Sequence, residues 1–133
     1  MDHHSEMRGI GMNLNELIAG INAGTVDTLD GLVSGVLDGP TVINGNGKRI
    51  CAPGISKCEP KTRVTYCSPG IIEIDCRGYS LRIENLLLDT NVFPYLGFIS
   101  GLVVKNCNGL ILNNTKVRSA SLTGIDLRNC SDI

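Results

Sequence analysis

Two stretches of this chain, Gly101-Leu102-Val103-Val104-Lys105-Asn106-Cys107-Asn108-Gly109-Leu110 and Gly124-Ile125-Asp126-Leu127-Arg128-Asn129-Cys130-Ser131-Asp132-Ile133, match at nearly every position with an offset of 23 residues. Only Val103 against Asp126 clearly breaks the match. A weaker copy, Ser80-Leu81-Arg82-Ile83-Glu84-Asn85-Leu86, lies 21 residues upstream and aligns Asn85 with Asn106 and Asn129. Self-similarity at such a spacing marks a repeat architecture, in which each unit buries its apolar face against the next.

Within each copy the apolar positions alternate. Leu81, Leu102 and Ile125, then Ile83, Val104 and Leu127, fall on one side, while Arg82, Val103 and Asp126, then Glu84, Lys105 and Arg128, fall on the other. Period two is the signature of a half-buried strand. A second strand follows in Leu86-Leu87-Leu88-Asp89-Thr90 and in Leu110-Ile111-Leu112-Asn113-Asn114, before connectors at Phe93 to Ser100 and Arg118 to Thr123. A unit of 21 to 23 residues suits one coil of short strands and turns, with like positions stacking about 4.8 Å apart. Asn85, Asn106 and Asn129 are then expected to form a ladder at a turn, each amide donating to one neighbouring coil and accepting from the other. Cys107 and Cys130 occupy the next rung, with Leu86 in the earlier copy. They read either as a row of small buried side chains or as a disulfide between neighbouring coils.

Three tandem Leu/Ile-x-Val/Leu/Ile-x-Asn units, preceded by a short amphipathic helix and the entry Val42-Ile43-Asn44-Gly45-Asn46-Gly47, resemble the right-handed parallel β-helix of the pectate-lyase-like superfamily. The resemblance spans Asn13 to Ile133 and implies an all-β solenoid whose N-terminal α-helix plugs one end of the core. It carries little about activity, because the same coil hosts lyases, hydrolases, tailspikes, adhesins and structural fibres.

The N-terminal third fits that plan. Leu14, Leu17, Ile18 and Ile21 recur at helical spacing, Asn13 with Glu16 forms a capping box, and Gly24 suits the left-handed closing residue. Thr25 to Gly39 stays ambiguous, since Gly31 and Gly35 interrupt a helical pattern. Strands are expected to begin after Gly39-Pro40. The organisation expected is a flexible terminus at 1–12, a helical cap at 13–39 and parallel coils at 40–133, open at the C-terminal end.

Composition narrows the function. The 133 residues allow one domain. Twelve Lys and Arg against 13 Asp and Glu give a net charge of −1, without the basic footprint of a nucleic-acid binder. No run is long enough for a membrane span: Leu86-Leu87-Leu88 stops at Asp89. Trp is absent and aromatic residues are 4% of the chain, so Ile, Leu and Val must build the core. Six cysteines lean towards an extracellular or surface-associated setting, although Met1 to Met12 contain no apolar leader segment. Four of them, Cys51, Cys58, Cys67 and Cys76, lie in a stretch rich in Pro and Gly where cross-links could supply the order. Cys51 with Cys58 and Cys67 with Cys76 is one of three pairings. Zinc is disfavoured by the lack of Cys-x-x-Cys, and no other metal or cofactor is expected.

Catalytic chemistry is hard to place. His3 and His4 are the only histidines, and neither an Asp-Asp pair nor Gly-His-Gly occurs, which sets aside the polygalacturonase-like branch. Asp75, Arg82, Glu84, Lys105, Asp126 and Arg128 are outward acids and bases. Glu84, Lys105 and Arg128 are expected in one column as a solvated ion-paired face. Phe93, Tyr95 and Phe98 could stack on sugar rings or cover a core edge. The last repeat stops at Ile133, where a further strand is expected, without a capping element. These features lead to the expectation of a structural subunit that self-associates, or joins a neighbouring β-helix chain, through its open coil. The alternative is a module that binds polysaccharide or, if an enzyme, a polysaccharide lyase.

Overall fold

The computed structural model describes residues 12–29, 32–53, 70–91, 100–118 and 124–133. Helix α1, Leu14–Ala23, starts at a complete capping box: the Asn13 side chain accepts from the Glu16 N–H, and the Glu16 carboxylate accepts from the Asn13 N–H. Gly24 ends it in the left-handed conformation. Leu14, Leu17, Ile18 and Ile21 are buried.

Ten strands follow among the described residues: β1 Val33–Val36, β2 Thr41–Asn44, β3 Arg49–Pro53, β4 Gly70–Asp75, β5 Leu81–Glu84, β6 Leu87–Asn91, β7 Ser100–Lys105, β8 Leu110–Asn113, β9 Lys116–Arg118 and β10 Ile125–Arg128. They form three sheets, ordered β1-β4-β7-β10, β2-β5-β8 and β3-β6-β9. Every strand pair is parallel. Each circuit of the chain therefore adds one strand to each sheet in turn, an all-β parallel fold compatible with a β-helix.

Register builds the core. Val33, Ile72, Leu102 and Ile125 stack in the first sheet, Ile43, Ile83 and Leu112 in the second, and Ile50, Leu88 and Val117 in the third. The helix closes the first coil over this column, joining the same buried cluster. Gly35 makes room for it, because a Cβ there would lie 2.8 Å from Leu14 Cβ.

Coil length differs from the expected near-constant repeat. Thirty-nine residues separate Val33 from its partner Ile72, thirty separate Ile72 from Leu102, and 23 separate Leu102 from Ile125. Most of the difference falls between the third sheet and the first, where residues 54–69, 92–99 and 119–123 connect the strands and lie outside the described residues. The first coil also begins earlier than expected, at β1 rather than after Gly39-Pro40.

Candidate functional site

Left-handed corner residues organise the candidate sites. After the first sheet the chain turns at Arg77, Asn106 and Asn129, with φ of 53°, 56° and 56°; after the second it turns at Asn46, Asn85 and Asn114, with φ of 58°, 52° and 50°. Asn is among the few L-residues that tolerate this conformation. At the first corner Asn129 Nδ2 donates to Asn106 Oδ1 at 2.7 Å, and Asn106 Nδ2 donates to Asp75 Oδ1 at 3.0 Å. At the second, Asn114 Nδ2 donates to Asn85 Oδ1 at 2.9 Å and Asn85 Nδ2 approaches Asn44 Oδ1 at 3.4 Å.

The single column expected from Asn85, Asn106 and Asn129 is thus corrected to two ladders on different corners. Asn106 and Asn129 come together; Asn85 does not join them. The upstream copy at Ser80–Leu86 is not a neighbouring coil over β7 but the next face of the second coil, since Leu81 pairs with Leu110. Both corners impose the same backbone geometry and select the same residue type, so the sequence repeats within a coil as well as between coils. Asp75, Asn44 and Asn114 complete the ladders; the likeness of Leu110-Ile111-Leu112-Asn113-Asn114 to Leu81-Arg82-Ile83-Glu84-Asn85 carried the signal for Asn114.

The same correction moves the cysteine column. Cys76, not Leu86, precedes Cys107: their thiols are hydrogen-bonded to each other, and both are buried. Burial pushes the Cys76 thiol up, reinforced by its bond to Cys107; burial also raises Cys107. Cys130 donates to the Val104 and Arg128 carbonyl oxygens at 3.4 and 3.5 Å. Cys51, Cys76, Cys107 and Cys130 are free thiols. The expected pairings of Cys51 with Cys58 and of Cys67 with Cys76 each have one partner outside the described residues; of the described partners, Cys51 lies in β3 and Cys76 faces the core. Cys58 and Cys67 themselves lie outside the described residues, as do Phe93, Tyr95, Phe98, His3 and His4.

Outward charges gather on the first sheet. Asp75 pairs in register with Lys105, and Lys105 with Arg128, while Lys105 Nζ lies 2.7 Å from a Glu73 carboxylate oxygen and Arg128 Nη2 lies 2.8 Å from Asp126. The expected column of Glu84, Lys105 and Arg128 is not formed. Glu84 belongs to the second sheet, beside Asn113, and pairs with Arg82. Glu73 was missed because β4 follows a stretch dominated by Cys and Pro, although the alternation Ile72-Glu73-Ile74-Asp75 carried the signal.

A hollow of about 220 Å³ lies beside Glu73, Asp75 and Lys105. A wider open cleft of about 590 Å³ follows the first corner past Asp75, Arg77, Asn106 and Asn129. There the Asn106 amide and the Arg77 N–H, each 3.0 Å from Asp75 Oδ1, hold the Asp75 carboxyl below the usual carboxylate range.

The two ends of the coil stack differ. At the first coil, Asn22 mimics a strand: its Nδ2 donates to the Val42 carbonyl at 3.0 Å and its Oδ1 accepts from the Asn44 N–H at 2.6 Å. The edge of β3 is covered as well, through Leu29 N–H to the Cys51 carbonyl at 2.8 Å and Cys51 N–H to the Asp27 carbonyl at 2.9 Å. At the fourth coil, β10 pairs with β7 alone among the described residues. Its inward Leu127 is 36% exposed, whereas Val104 beneath it is 0% exposed. No helix among the described residues is long and apolar enough to cross a membrane. No family model, curated protein or solved structure matches this chain.

Proposed function

We propose that the chain is a structural module, a right-handed parallel β-helix of the pectate-lyase-like kind, that assembles at an extracellular or surface location through the edge of its fourth coil. The partial exposure of inward-facing Leu127 carries this reading, because the equivalent side chains of earlier coils are covered by the coil above. Among the described residues one edge of β10 has no strand beside it, and its backbone donors and acceptors favour another strand. Asn129 and Asn114 each donate towards the preceding coil, which leaves their Oδ1 atoms ready to accept from a further rung. Light scattering of the purified chain over a wide concentration range tests the reading: mass should rise with concentration, and a constant monomer mass overturns it.

A second reading has its own support. Glu73, Asp75, Lys105, Asp126 and Arg128 share the outer face of the first sheet, a surface suited to a charged polysaccharide. Binding or cleavage of uronic-acid polymers by a monomeric chain would put this reading first.

A further inference from the structure

We infer that the outer face of the third sheet is a docking surface for a sulfated polysaccharide, held by Arg49, Lys116 and Arg118. The inference stands apart from the assembly reading, since it holds for a single copy, and it gives the polymer a different face from the first sheet.

Register decides which side chains share this face. Ile50, Leu88 and Val117 are the inward positions of β3, β6 and β9. Arg49, Leu87 and Lys116 therefore form one outward row, and Cys51, Asp89 and Arg118 form the next. Neighbouring strands lie about 4.8 Å apart, which sets Arg49 and Lys116 about 10 Å from each other across Leu87.

Charge sets the face apart. Arg49, Lys116 and Arg118 stand against a single carboxylate, Asp89, on the strands of this sheet. The outward residues Glu73, Asp75, Lys105, Asp126 and Arg128 give the first sheet an excess of acid, and on the second sheet Arg82 and Glu84 cancel. In a chain of net charge −1, positive charge is thus gathered on one side, which draws anions there.

Asp89 positions the two guanidiniums and leaves them in contact with water. Its Oδ2 lies 2.8 Å from Arg49 Nε and 3.6 Å from Arg118 Nη2. The Asp89 side chain is 11% exposed, whereas those of Arg49 and Arg118 are 60% and 61% exposed. Both contacts go to the same oxygen, and a guanidinium carries five N–H donors, more than one oxygen can take up.

The donors select the ligand. Arg presents a planar fork and Lys a point charge, a mixed set that suits the several oxygens of a tetrahedral sulfate ester. Leu87, half-buried between Arg49 and Lys116, offers apolar surface to the C–H face of a sugar ring. None of the six outward residues is aromatic, so the face gives stacked bases no platform.

Calorimetric titration of the full chain with dextran sulfate, with uncharged dextran as the blank, tests the assignment. The unaltered chain should bind dextran sulfate and not dextran, with affinity falling as salt rises. Arg49→Gln and Arg118→Gln should each weaken binding about threefold, and together at least about tenfold, because charge-assisted hydrogen bonds are lost. Exposed ion pairs add little to the fold, and Arg49→Lys with Arg118→Lys, which keeps the charge, should bind better than the Gln pair. Arg82→Gln, which removes a cation from the second sheet, should leave the affinity unchanged. Failure to bind dextran sulfate, or a loss in Arg82→Gln as large as in Arg49→Gln, would overturn the inference. Binding that survives the Arg49 and Arg118 changes but is lost in Lys105→Gln or Arg128→Gln would also overturn it, and would return the polymer to the first sheet. Equal affinity for polygalacturonate or for single-stranded DNA would overturn the sulfated ligand.

Discussion

Asp75 ends the first-corner ladder, and two hydrogen bonds tie its protonation to the fold. Its carboxylate accepts from Asn106 Nδ2 and the Arg77 N–H, which lowers its pKa in the folded state below the ordinary 3.8. A carboxylate lowered in this way contributes stability above its unfolded pKa, and the contribution is lost as pH falls through the folded value. Urea unfolding at a series of pH values should therefore show a shallower loss of stability below pH 3.8 for Asp75→Asn than for the unaltered chain. At this scale the sequence was half legible. The pairing of Asn106 with Asn129 follows from the 23-residue repeat, but Asn85 could not be assigned to a corner by residue type, because Asn suits a left-handed turn wherever one occurs. Asn22 gave no signal: a helix residue that also completes a strand edge is defined only by the packing of two elements distant in sequence.

Among the elements, the second corner brings the backbone of neighbouring coils close together at Gly45. A Cβ at Gly45 would lie 2.4 Å from the Asn85 carbonyl oxygen and 2.7 Å from Leu86 Cα, so Gly45→Ala must push two coils apart. The expected loss of stability is about 1–3 kcal/mol, the usual range for overpacking, read by chemical denaturation. Gly39→Ala is the control, since nothing lies within 4 Å of the Cβ it adds. Helix α1 and strands β7 and β10 could be read from periodicity and caps alone. β1 and β4 could not: Val33–Val36 contains Gly35, whose missing side chain admits Leu14, and Gly70–Asp75 emerges from a Pro-rich stretch. In both cases a demand made by a neighbouring element, or by the local composition, hid the alternation.

For the whole molecule, coils stabilise one another through nearest-neighbour contacts, and opening should begin where a coil has only one neighbour. In the monomer, amide hydrogens of Ile125–Arg128 should exchange at least about tenfold faster than those of Ile72–Asp75, which lie between two flanking strands. Hydrogen exchange followed by mass spectrometry on dilute protein checks this, and equal protection of the two segments would contradict it. The stacking principle was legible in the sequence because β7 and β10, with the corners that follow them, match nearly residue for residue across the 23-residue third coil. The longer earlier coils concealed the rest, as their extra residues break the spacing without altering the strands.

That uneven length confers a practical freedom. Closing a longer loop costs only slowly more as residues are added, and all three sheets keep their register while the link from the third back to the first varies. An epitope, a reporter peptide or a binding loop grafted at that seam would be carried on the side of the scaffold, leaving the interior pattern of the coils unedited.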